Sequence, residues 1–224
     1  MHYHGTPITP RHHLLRMSGR MFCVSYARPD DLGTCLDIGQ SVMLDNGAFS
    51  SKTKGRVFNE VGFYKWVEPV LGHPHWAVIP DVIDGSEQQQ REMVARWPFR
   101  RDLGVPVWHL GLSLSYLIDL CNSWGRVCLG SAGAYWKIGD DKWRRRMDEV
   151  FNTLVKTFGA QLPWTHGLRM LGQGAGPWPL SSADSTNVGR NFKEGHVCTE
   201  CMAQRIDSTN PPLRWQVKES ELLL

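Results

Sequence analysis

The chain alternates short apolar runs with longer amphipathic stretches, and this rhythm constrains the fold more than any other feature. Several runs are continuously apolar, which is typical of strands buried on both faces of a parallel sheet. Parallel strands need crossover connections, usually helices, so the rhythm predicts an α/β fold with a closed or doubly wound sheet. The runs are Met21–Tyr26, Ser41–Leu44, Trp76–Ile79, Val105–Leu110, Val127–Leu129, Leu168–Leu171 and the more polar Leu180–Ala183.

The stretches between these runs carry helical patterns. The clearest is 140–158, where large apolar residues form one stripe and two aspartates begin the helix. Further helices are predicted over 57–71 and 114–124. Another is predicted from Ser86 to Trp97, because Ser86 with Gln89 three residues later is typical of a capped helix start.

The seven strand candidates are one short of a complete (β/α)8 barrel. The missing strand is expected near Thr6–Leu15, or else the barrel is trimmed. We therefore predict a TIM-like (β/α)8 barrel, complete or trimmed, as a catalytic domain over residues 1–188. From about Gly189 the rhythm stops, and residues 189–224 are expected to form a small C-terminal appendix packed on the barrel.

The composition excludes several classes of protein. The 224 residues are 42% hydrophobic, which suffices for one sizeable core, and the net charge of +3 does not demand a polyanionic partner. The N-terminal segment has no apolar signal region, and no run approaches the roughly 20 apolar residues of a membrane helix. We expect a soluble, cytoplasmic protein with no membrane contact. Four cysteines lie in or beside apolar segments and are expected to be buried thiols, namely Cys23, Cys35, Cys121 and Cys128.

Polar residues follow the predicted strands at the points where the strands end. Because the carboxyl ends of parallel barrel strands share one mouth, we expect these residues to lie close together. An Asp in such a position is about as often a helix cap or an Asx-turn residue, but three at equivalent places favour a shared site. Carboxylate pairs suit glycosidic chemistry, since one attacks the anomeric carbon while the other moves protons. The residues are Asp45, Asp81, His109, Gly130, Ser131 and Asp184.

The segment Leu44–Ser50, L-D-N-G-A-F-S, resembles the D-S-G-G-F-Q segment of the tRNA-guanine transglycosylase superfamily. The nearest likeness is to the phage and bacterial branch that places 7-deazaguanine bases into DNA. The resemblance implies that Asp45 is the acid/base carboxylate and that Phe49 stacks on the exchanged base. Asp81, after Pro80, resembles the strand-end Asp that binds the Watson–Crick edge of guanine.

Two further segments extend the likeness on the base-binding side. The run Val107–Gly111 lies where the family has V-Q-G-G, so that His109 stands in for the base-contacting glutamine. The run Leu129–Gly133 resembles the small-residue loop that approaches the base with backbone groups, which implies base contacts at Gly130 and Ser131.

The segment Ala183–Asn191, A-D-S-T-N-V-G-R-N, resembles the family's nucleophile segment. This implies that Asp184 attacks the ribose anomeric carbon and that Arg190 and Asn191 contact nucleic acid. The likeness runs from about residue 20 to 201.

The resemblance implies an activity and its partners. The enzyme would replace guanine in DNA with a 7-deazaguanine, such as 7-cyano-7-deazaguanine (preQ0), through a covalent Asp184–glycosyl intermediate. Its partners would be DNA, with the target base flipped or single-stranded, and the free base. A homodimer is compatible with the sequence, and a phage-encoded chain would act in the host cytoplasm.

The segment His196–Cys201, H-V-C-T-E-C, has the spacing of the family's C-x-C-x-x-C zinc ligands, with His in first place. The resemblance implies a structural zinc ion held by His196, Cys198 and Cys201. A closed site needs a fourth ligand, and no Cys or His follows Cys201. A degenerate site with free thiols is the alternative. Candidates for the fourth ligand are His2, His4, His12, His13 and Asp207.

Other activities remain open from the sequence. A tRNA-guanine transglycosylase keeps the chemistry, although the chain lacks the long C-terminal region of tRNA-modifying members. A nucleoside or glycoside hydrolase would use water as the acceptor. A catalytically inactive nucleic-acid-binding subunit is disfavoured by the presence of both Asp45 and Asp184.

Overall fold

The computed structural model describes residues 1–173, 176–192 and 197–218. In these residues nine parallel strands form one sheet, in the order β5-β4-β3-β2-β1-β9-β8-β7-β6. The strands are β1 (His2–Gly5), β2 (Met21–Ser25), β3 (Ser41–Asp45), β4 (Trp76–Val78), β5 (Gly104–Val105), β6 (Val107–His109), β7 (Arg126–Gly130), β8 (Trp164–Gly167) and β9 (Ser182–Ser185).

Helices connect most of the strands and cover the outside of the sheet. Short 3-10 turns precede β5 and follow β7 and β8. The helices are α1 (Arg11–Leu15), α2 (Leu32–Ile38), α3 (Ala48–Thr53), α4 (Glu60–Val67), α5 (Glu87–Ala95), α6 (Leu114–Trp124), α7 (Asp141–Phe158), α8 (Asn187–Asn191) and α9 (Thr199–Asp207).

The sheet nearly closes on itself where its two end strands meet. Only Pro106 separates β5 from β6, yet β5 pairs with β4 and β6 pairs with β7. Pro106 has no N–H to donate, while its carbonyl oxygen accepts from the backbone N–H of Cys128 at 2.8 Å. Counted as one interrupted strand, residues 104–109 complete an eight-stranded barrel of the TIM type. The predicted α/β barrel is therefore confirmed.

Two predicted strand positions were wrong. The missing strand is β1 at His2–Gly5, not a segment near Thr6–Leu15. The strand before the nucleophile segment is β8, Trp164–Gly167, whereas the run Leu168–Leu171 comes after it and enters a 3-10 turn. Both true strands contain histidine and glycine, so their low hydropathy concealed them. Within the described residues a 3-10 turn replaces the helix expected after β8, so the barrel is trimmed there.

The barrel interior is filled by aromatic and aliphatic side chains from alternate strand positions. Near its centre the Trp76 indole N–H donates to the Tyr3 hydroxyl at 2.9 Å. The Trp164 and His166 rings stack, with centroids 5.9 Å apart and planes inclined by 14°. The buried interior cluster is Tyr3, Cys23, Met43, Trp76, Val78, Val105, Val107 and Cys128.

The outer helices bury one face each against the sheet. On α7 the predicted apolar stripe is confirmed, and from Trp143 to Leu154 its members are fully buried. The predicted domain boundary at residue 188 falls inside α8. Beyond it, α9 packs on α1, α8 and β1, and Trp215 packs on Phe151 of α7.

The four cysteines expected to be buried thiols are free and buried, as predicted; they are Cys23, Cys35, Cys121 and Cys128. Among the described residues, no helix is long and apolar enough to cross a membrane.

The interior aromatic layer should dominate stability. Trp76 is 3% exposed, whereas Trp136 is 68% exposed, so the two form a matched pair. We expect Trp76→Ala to lower the free energy of unfolding by about 3–5 kcal/mol. We expect Trp136→Ala to change it by less than about 0.5 kcal/mol. Denaturant unfolding followed by circular dichroism measures both, and equal effects would contradict the assigned interior layer.

Candidate functional site

The predicted site residues meet at one mouth of the barrel. A cavity of about 910 Å³ opens there, at the carboxyl ends of the strands. Asn191 does not line it. The predicted residues that do are Asp45, Phe49, Asp81, His109, Gly130, Ser131, Asp184 and Arg190.

Strand periodicity places the carboxylates in this ring. Side chains two positions apart lie on the same face of a strand. Met43 points into the interior cluster, so Asp45 also faces inward, one layer nearer the mouth. On β9, Asp184 lies beside Tyr3 in the β1–β9 register and faces inward with it. The two carboxylates therefore face one cavity from different strands.

The D-N-G turn after β3 organises one wall of the cavity. The Gly47 N–H donates to Asp45 Oδ2 at 3.1 Å, and the Ala48 N–H donates to Asn46 Oδ1 at 2.8 Å. Gly47 has φ +74°, and a Cβ there would lie 2.9 Å from the Ala27 backbone nitrogen. The turn thus needs glycine, and it starts the helix that carries Phe49 into the cavity.

Asp81 is held by two side chains. Asn46 donates to its Oδ1 at 2.8 Å, and His109 Nε2 lies 2.8 Å from its Oδ2. Gly130 leaves room for this histidine, because a Cβ there would lie 2.8 Å from His109 Nδ1. His109, which the resemblance aligned with a base-contacting glutamine, therefore contacts Asp81. Asp81 is buried and still lines the cavity.

Asp184 has a partner that the sequence did not suggest. His166 of β8 is fully buried, and its Nε2 lies 3.2 Å from Asp184 Oδ1. The backbone N–H of Arg169 donates to the same oxygen at 2.9 Å. A strand assigned to Trp164–Gly167 would have indicated His166, but this segment is not an apolar run and hydropathy does not predict it as a strand.

Arg169 spans the mouth and was also missed. Its guanidinium lies 4.3 Å from the centre of the Phe49 ring and donates to the Ser131 carbonyl oxygen at 2.6 Å. The residue has φ +61°, which is strained for a side chain of this size. Arg169 thus covers the ring face on which a planar ligand would stack. The Ser131 hydroxyl accepts from Trp143 in the outer core, which leaves its backbone to face the mouth.

The surroundings of Asp45 shift its pKa. Burial raises its pKa to about 6, and the charges of Asp184 and Asp81 act in the same direction. Hydrogen bonds from Ser25 and Gly47 oppose this shift without cancelling it. A carboxyl group with a pKa near 6 can give and take a proton near neutral pH, as a general acid/base must.

The cavity has an acidic floor and a basic rim. Three aspartates form the floor, while four cations line the cavity farther out: Arg28, Lys54, Arg169 and Arg190. Such a pattern suits an anionic strand lying across the mouth with one neutral base inserted.

Other basic residues lie elsewhere. The run 144–146 on α7 does not line the cavity. Arg146 donates to the carbonyl oxygens of Leu110 and Leu112, and Arg144 donates to Gly139, so part of this run binds the backbone of neighbouring loops. The Asn191 side chain contacts that of Asn187 within α8.

The predicted zinc ligands are not assembled as a metal site among the described residues. Cys198 and Cys201 form a disulfide at the start of α9, and His196 lies outside the described residues. Asp207, a candidate fourth ligand, contacts His4 at 3.0 Å and the Arg20 guanidinium at 3.1 Å. Sulfurs bonded to each other are not thiolate ligands, so this arrangement does not fit zinc, and zinc binding would require reduction.

Comparison with family models, with curated proteins and with solved structures found no match for this chain.

Because the pKa of Asp45 is raised, replacing it with an uncharged residue should stabilise the fold at high pH and not at low pH. Its folded-state pKa of about 6 lies above the ordinary value of 3.8. The cost of its charge is therefore absent below pH 4 and complete above pH 6. We expect Asp45→Asn to raise the free energy of unfolding at pH 8 by roughly 2–3 kcal/mol and not at pH 4. Urea unfolding at both pH values measures this, with the exposed Asp37→Asn as control. A pH-independent gain would contradict it.

Zinc remains a prediction for the reduced chain. We expect protein purified under reducing conditions to carry one zinc ion, and Cys201→Ser to lose it. Elemental analysis with circular dichroism tests this. A zinc-free protein that is fully folded and reduced would contradict it.

Proposed function

We propose that this protein exchanges guanine in DNA for a 7-deazaguanine base through a glycosyl ester on Asp184. The observation that carries the proposal is the pairing of Asp45 and Asp184 on one cavity, with pKa-raised Asp45 as acid/base. The likeness of the D-N-G-A-F and nucleophile segments to guanine transglycosylases supports the choice of purine substrate.

In the first half-reaction an Asp184 carboxylate oxygen bonds to the anomeric carbon of a guanine nucleotide. The bond from that carbon to guanine N9 breaks, and its electron pair moves onto the base. Asp45 supplies a proton, directly or through water, and neutral guanine leaves. The sugar remains as an ester of Asp184.

The second half-reaction reverses these steps with a new base. The 7-deazaguanine enters the emptied pocket, and Asp45 takes the proton from its N9. The ring nitrogen bonds to the anomeric carbon, and the carbon–oxygen bond to Asp184 breaks with its electron pair returning to the carboxylate. Asp45 thus gives a proton and later takes one, which a carboxyl group with a pKa near 6 can do.

The walls of the cavity suit a purine. Phe49 offers a flat face, once the Arg169 guanidinium moves aside or the base slides between them. Asp81 can accept from N1–H and the exocyclic amine of guanine. Asn46 and His109 hold its carboxylate in place for that task. One pocket then serves the leaving base and the entering base.

The rim supports nucleic acid as the carrier of the base. Arg190 and Lys54 are exposed cations in the lining of the cavity, where they can contact the phosphates of a strand. A base in a duplex cannot reach the floor of the mouth, so the target is flipped or single-stranded.

Labelled-base exchange tests the proposal. Wild-type protein is expected to incorporate a labelled 7-deazaguanine into guanine-containing DNA and to form an adduct that survives denaturation. Asp184→Ala is expected to abolish both, because the ester cannot form. Asp37→Asn, at an exposed position on α2 that does not line the cavity, is the matched control and should retain exchange. Undiminished exchange by Asp184→Ala would contradict the assignment.

The same assay measures whether the protein modifies DNA or tRNA. We expect incorporation into DNA and not into tRNA. Incorporation into tRNA alone would favour a tRNA transglycosylase. Release of guanine without incorporation would favour a hydrolase.

A further inference from the structure

The buried His166 beneath Asp184 takes no part in the chemistry described above. It lies in the barrel interior with 0% exposure, stacked on Trp164 and in edge contact with Tyr3 and Trp76. An imidazole is a costly residue to bury in such a layer unless both nitrogens are hydrogen-bonded. Both are: Nε2 lies 3.2 Å from Asp184 Oδ1, and Nδ1 lies 2.7 Å from Ser182 Oγ.

These partners determine the tautomer. A nucleophilic carboxylate has no proton to donate, so the hydrogen of the Asp184 contact belongs to His166 Nε2. The Ser182 hydroxyl can donate or accept, and it serves a neutral ring by donating to Nδ1. The Ser182 hydroxyl therefore donates to His166 Nδ1, and His166 Nε2–H donates to Asp184.

The two oxygens of Asp184 are consequently different. Oδ1 accepts from His166 and from the Arg169 backbone N–H at 2.9 Å. Within the part of the chain that the structure describes, no hydrogen bond reaches Oδ2. An oxygen with two donors has its lone pairs occupied, whereas a bare oxygen on a cavity wall is available to attack.

We propose that His166 is a positioning residue that fixes the carboxylate of Asp184 so that Oδ2 is the attacking oxygen. The inference rests on the proposed transglycosylation. As Oδ2 bonds to the anomeric carbon and the bond to the base breaks, Oδ1 becomes the carbonyl oxygen of the ester. His166 Nε2–H and the Arg169 N–H stay on Oδ1 throughout. When the entering base breaks the bond between Oδ2 and the sugar, the Asp184 carboxylate is still held by these two donors and is ready for the next cycle.

A matched pair of substitutions at His166 separates the effect of the hydrogen bond to Asp184 from the effect of losing the ring. Glutamine can place its amide nitrogen near the position of Nε2, whereas asparagine ends near Nδ1 and cannot reach Asp184. We expect His166→Asn to slow adduct formation in single turnover by roughly 10- to 100-fold, with unchanged affinity for guanine-containing DNA. His166→Gln is expected to recover most of that rate. Wild-type adduct formation by His166→Asn would overturn the proposal.

Substitution of His166 also changes the packing of the interior rings, so a second variant and an NMR spectrum test the proposal without altering a ring. Ser182→Ala removes the donor to Nδ1 without touching a ring and should slow adduct formation by roughly 3- to 10-fold. In the wild type, nitrogen-15 NMR should show the His166 proton on Nε2. A proton on Nδ1 would overturn the proposal even in a protein that forms no adduct. Absence of the adduct from wild type, with the proton on Nε2, would instead contradict the proposed function.

Discussion

The arrangement of the site depends on closure of the sheet at residues 104–109. Pro106 interrupts this strand, so that Gly104 and Val105 pair with β4 while Val107 to His109 pair with β7. Without that closure the mouth would be an open edge, and the wall carrying His109 would be separated from Asp81. The 2.8 Å contact between these two side chains joins the closing strand, which carries His109, to the segment after β4, which carries Asp81. The acidic ring is thus a product of the barrel as a whole.

Three aspartates share the mouth, yet each has different hydrogen-bond partners. Asp81 has both oxygens engaged by side chains, which suits recognition of a ligand edge. Asp184 lines the cavity, and the described residues hold one of its oxygens with two donors and place no hydrogen bond on the other. Asp45 is held by its own turn, and burial and its acidic neighbours raise its pKa to about 6. A carboxyl group whose pKa is raised in this way inside a cavity is typical of acid/base sites.

The site also concentrates strain and charge that stability alone would not select. Arg169 holds φ +61° with a long side chain across the mouth. Asp45, Asp81 and Asp184 crowd one cavity, and a buried histidine sits in the aromatic interior. The positive φ of Arg169 and the raised pKa of Asp45 both cost folding free energy.

The sequence by itself determined the barrel and most of its mouth. Continuous apolar runs predicted β2 to β7, and strand ends predicted Asp45, Asp81 and Asp184, because hydropathy and chain order are local properties. The histidine-containing strands β1 and β8 are not apolar runs, so hydropathy did not predict them. Without β8, the sequence did not indicate His166 and Arg169 as site residues. Only the tertiary structure showed the contacts of these two residues. Which oxygen of Asp184 is held, and which ring Arg169 covers, depend on contacts between strands far apart in the chain, and no local pattern records them.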